Sequence, residues 1–576
     1  MGEKEEKGDA VPEGEQEKET LAGEGEKKMI VEKSVEAKIS PAEVKVDLEA
    51  PMEDGFKGLT KEELMRFATD PFWVRLRWIL FVLFWIIWIA MLVASIVIIV
   101  YAPKCPSPDP KQWWQKGPIY KVDIANFKDS NNDGTGDIKG LEGELDYLVE
   151  TGVNTIYLDP FFKGPAGVGN KYGVSDFQDV KAELGTLADW SSLVDQLQLR
   201  NMKVIIDIIP NHVSEQHEWF ELSVSKDPTY QDFFIWSSTG SAPGWVKNSE
   251  RGQYYWAPTG LPELNLANPK VVEEMKKVMK FWLNKGVDGF NLDSFNTLVE
   301  DQHMKLDLKA SKDIVKQFRT VVDNFGETSD SSRILIALTD LQLVDLGPLY
   351  GDDIDENHIG QLFHLAVGVP MSDDMQGDLN VKNIVSFIQE VKTKLPVNAW
   401  PAIAVSSPVS VVEADMVDAM NMLSIILPAT PFTNMGQELG MAAVKMNWDM
   451  QKNQTKASTE GRLTHYSVYS ELAKLRQSET ILFGTIVAEE ISGCLVVSRV
   501  KKGNPGYLLV INFSQEDLKL DLSKVKSIAE NIRILTSSVA GREFALPDPK
   551  MTKTFSAAEV PVAARQALMF TFVPSF

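Results

Sequence analysis

Cysteine is nearly absent from this 576-residue chain, which holds only Cys105 and Cys494. Two thiols exclude a disulfide-built scaffold and a Cys-based zinc site. Six histidines are too few for a His-rich metal tract. Positive charge is also short: 58 Lys and Arg stand against 81 Asp and Glu, a net charge of −23. A nucleic-acid partner would meet repulsion there instead of counterion release. Residues 1–59 hold one aromatic, Phe56, and an excess of acid. Such a stretch cannot bury enough apolar surface to offset its conformational entropy, so it reads as a disordered acidic tail.

Charge is missing altogether from Trp78–Val100. As a helix those residues would run about 34 Å, enough for a hydrocarbon core of ~30 Å. Before them, residues 60–77 read as a juxtamembrane helix. Thr60 and Glu63 form a capping box, and Asp70-Pro71 supplies a second N-cap with proline at the first helical position. Trp73 and Tyr101 suit the two interfaces, and Arg75 and Arg77 abutting the span favour an N-terminus inside. The apolar run starts too late and is too long for a cleaved signal peptide. Two sequons, at Asn453 and Asn512, follow the span and mark glycosylation acceptors on a lumenal side. The expectation is a single-pass type II glycoprotein with a cytoplasmic N-terminus and an outer neck at 101–116.

Beyond the neck, strand-like and amphipathic helical runs alternate. Examples are Ile119–Asn126, Asn154–Pro160, Lys203–Pro210, Gly289–Asp293, Arg333–Leu338 and Ala402–Ser406. Alternation over residues 117–481 predicts a (β/α)8 TIM barrel, with an insert after the third strand at about 213–269. From 482 to 576 the runs are strand-like with no long helix, which predicts a C-terminal antiparallel β-sandwich.

Four stations carry a resemblance. They are Gly134-Thr135-Gly136-Asp137-Ile138, Asp207-Ile208-Ile209-Pro210-Asn211-His212, Gly286-Val287-Asp288-Gly289-Phe290-Asn291-Leu292-Asp293, and Leu427-Pro428-Ala429-Thr430-Pro431 with Gly436-Gln437-Glu438. In order and spacing they resemble the α-amylase family of glycoside hydrolases. Retaining hydrolysis needs a nucleophilic carboxylate and a protonated carboxyl about 5–5.5 Å away. The resemblance puts Asp293 at the nucleophile and His212 at a substrate contact. Elsewhere the pattern fails. Leu338-Thr339 stands where Gly-Glu should supply the general acid, and a threonine hydroxyl cannot protonate a leaving oxygen. Asn291 replaces the arginine two residues before the nucleophile. Ser407-Pro408-Val409 replaces the Asn-His-Asp after strand seven, and Gly173 replaces the aspartate after Tyr172. A degenerate, non-hydrolytic barrel is therefore expected, with Asp293 and His212 as vestiges.

The loop Asp129-x-Asn131-x-Asp133-Gly134-x-Gly136-Asp137 sets alternate oxygens around a glycine turn. Two readings stand: a structural Ca2+ loop, or an Asx-rich turn capping the next helix. No cofactor is otherwise required.

Asp70-Pro71, Trp73-Val74-Arg75-Leu76-Arg77-Trp78, Ala102-Pro103-Lys104-Cys105 and Trp113-Trp114 are similar to the heavy chains of heteromeric amino-acid transporters. That resemblance implies a plasma-membrane subunit that stabilises and delivers a multi-span light chain. The two would be joined through a disulfide at Cys105, the span and the outer domain. It also implies adhesion-receptor partners through span and tail. Independently, an odd exposed cysteine just past a span suggests intermolecular pairing, while Cys494 lies in an apolar run. The long insert and the intact Asn211-His212 pair look more like an active glucosidase or the related renal heavy chain. Two alternatives therefore stand beside the heavy-chain reading: a membrane-anchored α-glucosidase, and a carbohydrate-binding or adhesion receptor.

Overall fold

A computed structural model of the chain describes residues 60–101, 109–167, 170–240, 243–299, 308–325, 332–338, 347–350, 362–368, 381–396, 399–404, 414–441, 445–539 and 554–575. The expected tail at 1–59 lies outside the described residues, as do Cys105, Thr339 and Ser407-Pro408-Val409. Two units divide at Pro106.

The N-terminal unit opens with the helix Lys61–Ala68, capped reciprocally by Thr60 and Glu63 as expected. Asp70 Oδ1 accepts from Phe72 N at 2.9 Å and starts the next helix. That helix runs unbroken from Pro71 to Tyr101. It starts where Asp70-Pro71 placed a second N-cap, and the uncharged run Trp78–Val100 lies within it. Nothing between Pro71 and Trp78 interrupts the backbone ladder, and the break falls earlier, at Thr69-Asp70. Arg77 folds back to donate to the carbonyls of Phe67 (3.2 Å) and Ala68 (3.0 Å), closing the C-terminal end of the first helix. The long helix is long and apolar enough to cross a membrane.

In the second unit eight parallel strands close a barrel: Ile119–Val122, Thr155–Leu158, Lys203–Ile208, Gly289–Leu292, Ile334–Leu338, Leu365–Gly368, Ala402–Ala404 and Thr430–Asn434. Pairing the first strand with the last, Ile119 opposite Phe432, completes the ring. Strands two, three and four are almost wholly buried, and strand three is a run of β-branched residues, as expected when both faces are covered. Ile119, Tyr157, Ile205, Ile336, Ala402 and Phe432 fill the lumen, and Trp114 packs with them. The sixth strand carries only four residues in a stretch without helical or strand periodicity, and sequence reasoning passed over it.

Between strands the expected helices form, including Pro269–Asn284 and Val381–Thr393. Gly152, at φ 93°, ends the helix Leu145–Thr151 in a left-handed conformation that a side chain would strain. The insert after strand three contains the helix Glu218–Val224 and a small sheet of Trp236–Ser237, Gln253–Trp256 and Trp245–Asn248. After the short helix Glu479–Phe483 the chain turns to β-structure. A six-stranded antiparallel sheet packs with the pair Leu518–Leu520 and Val560–Val562 over an apolar core. Cys494 is in that core, and burial pushes its thiol up to about 11, consistent with an inert buried thiol.

Candidate functional site at the barrel mouth

Register brings the site residues level. Asp207 on strand three pairs with Asn291 on strand four, and Tyr157 on strand two lies beside strand three. All three project near the carboxyl ends of the strands, where barrel enzymes build their sites. Tyr157 Oη donates to Asp207 Oδ1 at 2.6 Å, and Asn291 Nδ2 donates to the same oxygen at 2.5 Å. Asn291 Oδ1 accepts from Leu338 N at 2.7 Å, tying strand four to strand five. Both functional groups of Asn291 are therefore spent on the fold.

Asp207 is buried and, among the described residues, has no cationic partner. Burial, with Asp159 and Asp293 adding repulsion, pushes its carboxyl up to about 7, against the opposing pull of the Tyr157 and Asn291 hydrogen bonds. Asp293 follows strand four, with its N–H on the Ile208 carbonyl and its Oδ2 accepting from Ser294 Oγ at 3.1 Å. Among the described residues no cation pairs with it.

His212 keeps its place beside this carboxylate. Asn211 Nδ2 donates to the Thr297 carbonyl at 2.6 Å, so Asn211 Oδ1 faces His212 Nδ1 at 3.0 Å and accepts a hydrogen bond from it. His212 Nε2 is left buried without a partner. Burial lowers the imidazole pKa, and Asp293 opposes that shift.

One part of the mouth was missed in the sequence. Lys171 Nζ lies 2.6 Å from Asp159 and 3.3 Å from Asp123, and Lys121 Nζ lies 3.0 Å from the other oxygen of Asp159. Burial works against the Lys171 ammonium, but Asp159 and Asp123 outweigh it and hold its pKa above the ordinary lysine value. The available signal was an aspartate directly after strand two and a lysine directly before Tyr172. Tyr172 stands 42% exposed at the rim. Among the described residues the mouth thus holds Asp293, the buried Asp207 and an ion-paired rim, and strand five carries no carboxyl up to Leu338.

The acidic loop satisfies itself. Asp129 accepts from the amides of Asn131, Asn132 and Gly134, and Asp133 from Thr135 N and Asn131 Nδ2. Asp137 caps the helix Ile138–Gly143 through Gly140 N at 2.7 Å, and its other oxygen accepts from Ser130. The oxygen set suits a hard cation, but among the described residues no three acidic, His or Cys side chains gather for a metal. The hydrogen bonds account for the turn by themselves.

Of the two sequons, Asn453 is exposed on the helix Trp448–Thr459. Asn512 is fully buried, its Nδ2 donating to the carbonyls of Glu516 (2.7 Å) and Ala563 (2.9 Å). A glycan on that nitrogen would require this corner of the sheet to open.

Comparison with known proteins matches residues 122–466 to the family described as "Alpha amylase, catalytic domain". Residues 43–120 match "Solute carrier family 3 member 2 N-terminus". The human amino acid transporter heavy chain SLC3A1 is 31% identical over 431 residues, covering 68% of this chain and 62% of that protein. The chain thus spans less than two thirds of that relative's length. Maltase 1 of Drosophila virilis is 27% identical over 555 residues, covering 79% of this chain and 86% of that protein. Among solved structures, Bacillus licheniformis trehalose-6-phosphate hydrolase superposes with a TM-score of 0.64 at 20% identity, covering 80% of this chain and 100% of that one. At that identity the likeness concerns the fold alone.

Proposed function

The chain belongs to the alpha-amylase family, and from that premise we propose that it is the heavy subunit of a heteromeric amino-acid transporter. The observation that carries this reading is the match of residues 43–120, which include the membrane-length helix and Cys105, to a solute carrier family 3 segment. The heavy-chain relatives point the same way. One helix cannot line a solute pathway, so transport belongs to a multi-span light chain. This subunit anchors that chain, stabilises it and supports its delivery to the plasma membrane. Its N-terminus is cytoplasmic, and Cys105 provides the interchain disulfide. The barrel is non-hydrolytic, because Asn291 is committed to Asp207 and Leu338 and leaves Asp293 without a supporting cation.

Non-reducing electrophoresis of the full chain from native membranes, with mass spectrometry of the partner, tests this. A high-mass band containing a multi-span transporter is expected, present without reductant and lost in Cys105→Ser but not in Cys494→Ser. Survival of the band in Cys105→Ser refutes the linkage. A partner that is a second copy of this chain refutes the subunit reading. A covalent tether mainly raises effective concentration, so transport in Cys105→Ser should weaken without vanishing.

The second reading, a membrane-anchored α-glucosidase, is favoured by the maltase relatives and by the retained Asp293 beside a His212 whose buried Nε2 has no protein partner.

A further inference from the structure

At the opposite, N-terminal end of the barrel strands, three cations meet with no acid among them. Arg476 closes the helix His465–Leu475 and is fully buried. Its Nη1 donates to the carbonyls of Ile425 (3.0 Å) and Leu427 (2.8 Å), and its Nη2 to that of Ala429 (2.5 Å). Its Nε has no partner. Arg499, 1% exposed in the strand Cys494–Val500, donates Nη2 to the Ile481 carbonyl, while its Nε and Nη1 are buried without acceptors. Lys111 enters from the side, half-buried, its Nζ 3.9 Å from the Trp400 ring centre and 5.5 Å from that of Phe483. The Arg476 guanidinium lies 5.8 Å from the same Trp400 ring.

Burial, with Arg476 and Arg499 adding repulsion, pushes the Lys111 ammonium down to about 8. Arg476 and Arg499 also repel each other. The neighbouring Lys501 is answered by Glu479, but among the described residues no carboxylate pairs with Lys111, Arg476 or Arg499. Arginine does not shed its proton to escape such a site. An uncompensated buried charge is among the most unfavourable arrangements in a fold. Carbonyl oxygens and aromatic faces answer part of this charge, and three N–H-bearing nitrogens remain unanswered.

We propose that this seam between the barrel and the C-terminal sheet binds a small monovalent anion such as chloride. The unpartnered nitrogens of Arg499 and Arg476 and the Lys111 ammonium would be its donors. A halide accepts N–H groups from diverging directions without needing the planar fork a carboxylate demands. Lys111, the one partly exposed member, marks its entry. The anion joins the residues before the first strand to the end of the helix His465–Leu475 and to the C-terminal sheet, so it acts as a clamp between barrel and sandwich.

Full-length protein in detergent is melted at fixed ionic strength while chloride replaces gluconate, a bulky organic anion. A ligand bound only by the folded state raises Tm with each tenfold rise in its concentration above half-saturation, and that rise is expected here. Lys111→Met should move half-saturation to about tenfold higher chloride, the loss expected for one charge-assisted contact. Arg499→Leu should abolish the response. Because Arg499 also holds a carbonyl, Lys111→Met and bromide anomalous diffraction keep the test decisive if that variant does not fold. A bromide peak beside Arg499 supports the site. Equal melting in chloride and gluconate, or bromide peaks only elsewhere, overturns it.

Discussion

Replacing Asp207 by asparagine tests whether the barrel mouth hides a neutral acid. The usual value for this side chain is 3.8, and burial, followed by the repulsion of Asp159 and Asp293, moves it to about 7 in the folded protein. The folded state thus binds the proton more tightly than the unfolded chain does. Below pH 4 both states are protonated and nothing is lost. As pH rises from about 4 to about 7 the unfolded chain releases its proton freely and the folded one does not, so stability falls, and above 7 the loss is constant. A shift of about three units corresponds to about 4 kcal/mol over the whole window, of which about 3 kcal/mol falls between pH 5 and pH 8.

Asp207→Asn keeps an acceptor for Tyr157 and Asn291 and removes the titration. The measurement is the Tm difference between variant and wild type at the two pH values, which cancels every other titrating group. With an unfolding entropy of about 1 kcal/mol per kelvin for a unit the size of Ser107–Phe576, the variant should gain about 3 °C on wild type between pH 5 and pH 8. A difference that stays flat, or that shrinks as pH rises, refutes the neutral carboxyl. Asn291→Arg makes the complementary arm. A cation beside Asp207 would lower its pKa and flatten the same pH dependence.

Purified protein should release no glucose from α-1,4- or α-1,6-linked disaccharides. Asn291→Arg with Thr339→Glu should also fail, because the Asn-His-Asp station remains absent, while turnover abolished by Asp293→Asn would overturn the non-hydrolytic reading. Chelation with EDTA should leave Tm unchanged, because Asp129, Asp133 and Asp137 are satisfied by the loop's own donors, and a fall in Tm that Ca2+ reverses would establish the ion-holding alternative. Enzymatic deglycosylation should sharpen the gel band, and Asn453→Gln should remove that change. Asn512→Gln should instead cost about 1–3 kcal/mol, through two orphaned carbonyls, which a melting curve reads directly.

Much of the fold was legible because its determinants are local. Thr60 with Glu63, Asp70-Pro71 and Asp137 announce helix starts by side chains that reach only two or three residues, and the structure uses each as a cap. The charge-free run at Trp78 and the strands Lys203–Ile208 and Cys494–Val500 follow from composition over a few residues. Hydropathy alone marks only the uncharged run, and it is the cap at Asp70-Pro71 that carries the long helix back through Arg75 and Arg77, which are good helix formers. That Leu338-Thr339 and Asn291 depart from the family's pattern could be read from the sequence, since a substitution needs no geometry. What the vacated places became could not. Lys171 meets Asp159 across 12 residues, and Asn291 meets Asp207 across 84 and Leu338 across 47. Such pairs exist only once the barrel closes and sets the strands in register. For the same reason the cluster of Lys111, Arg476 and Arg499 reads in sequence as three ordinary surface cations. Only folding removes the water that would have screened them.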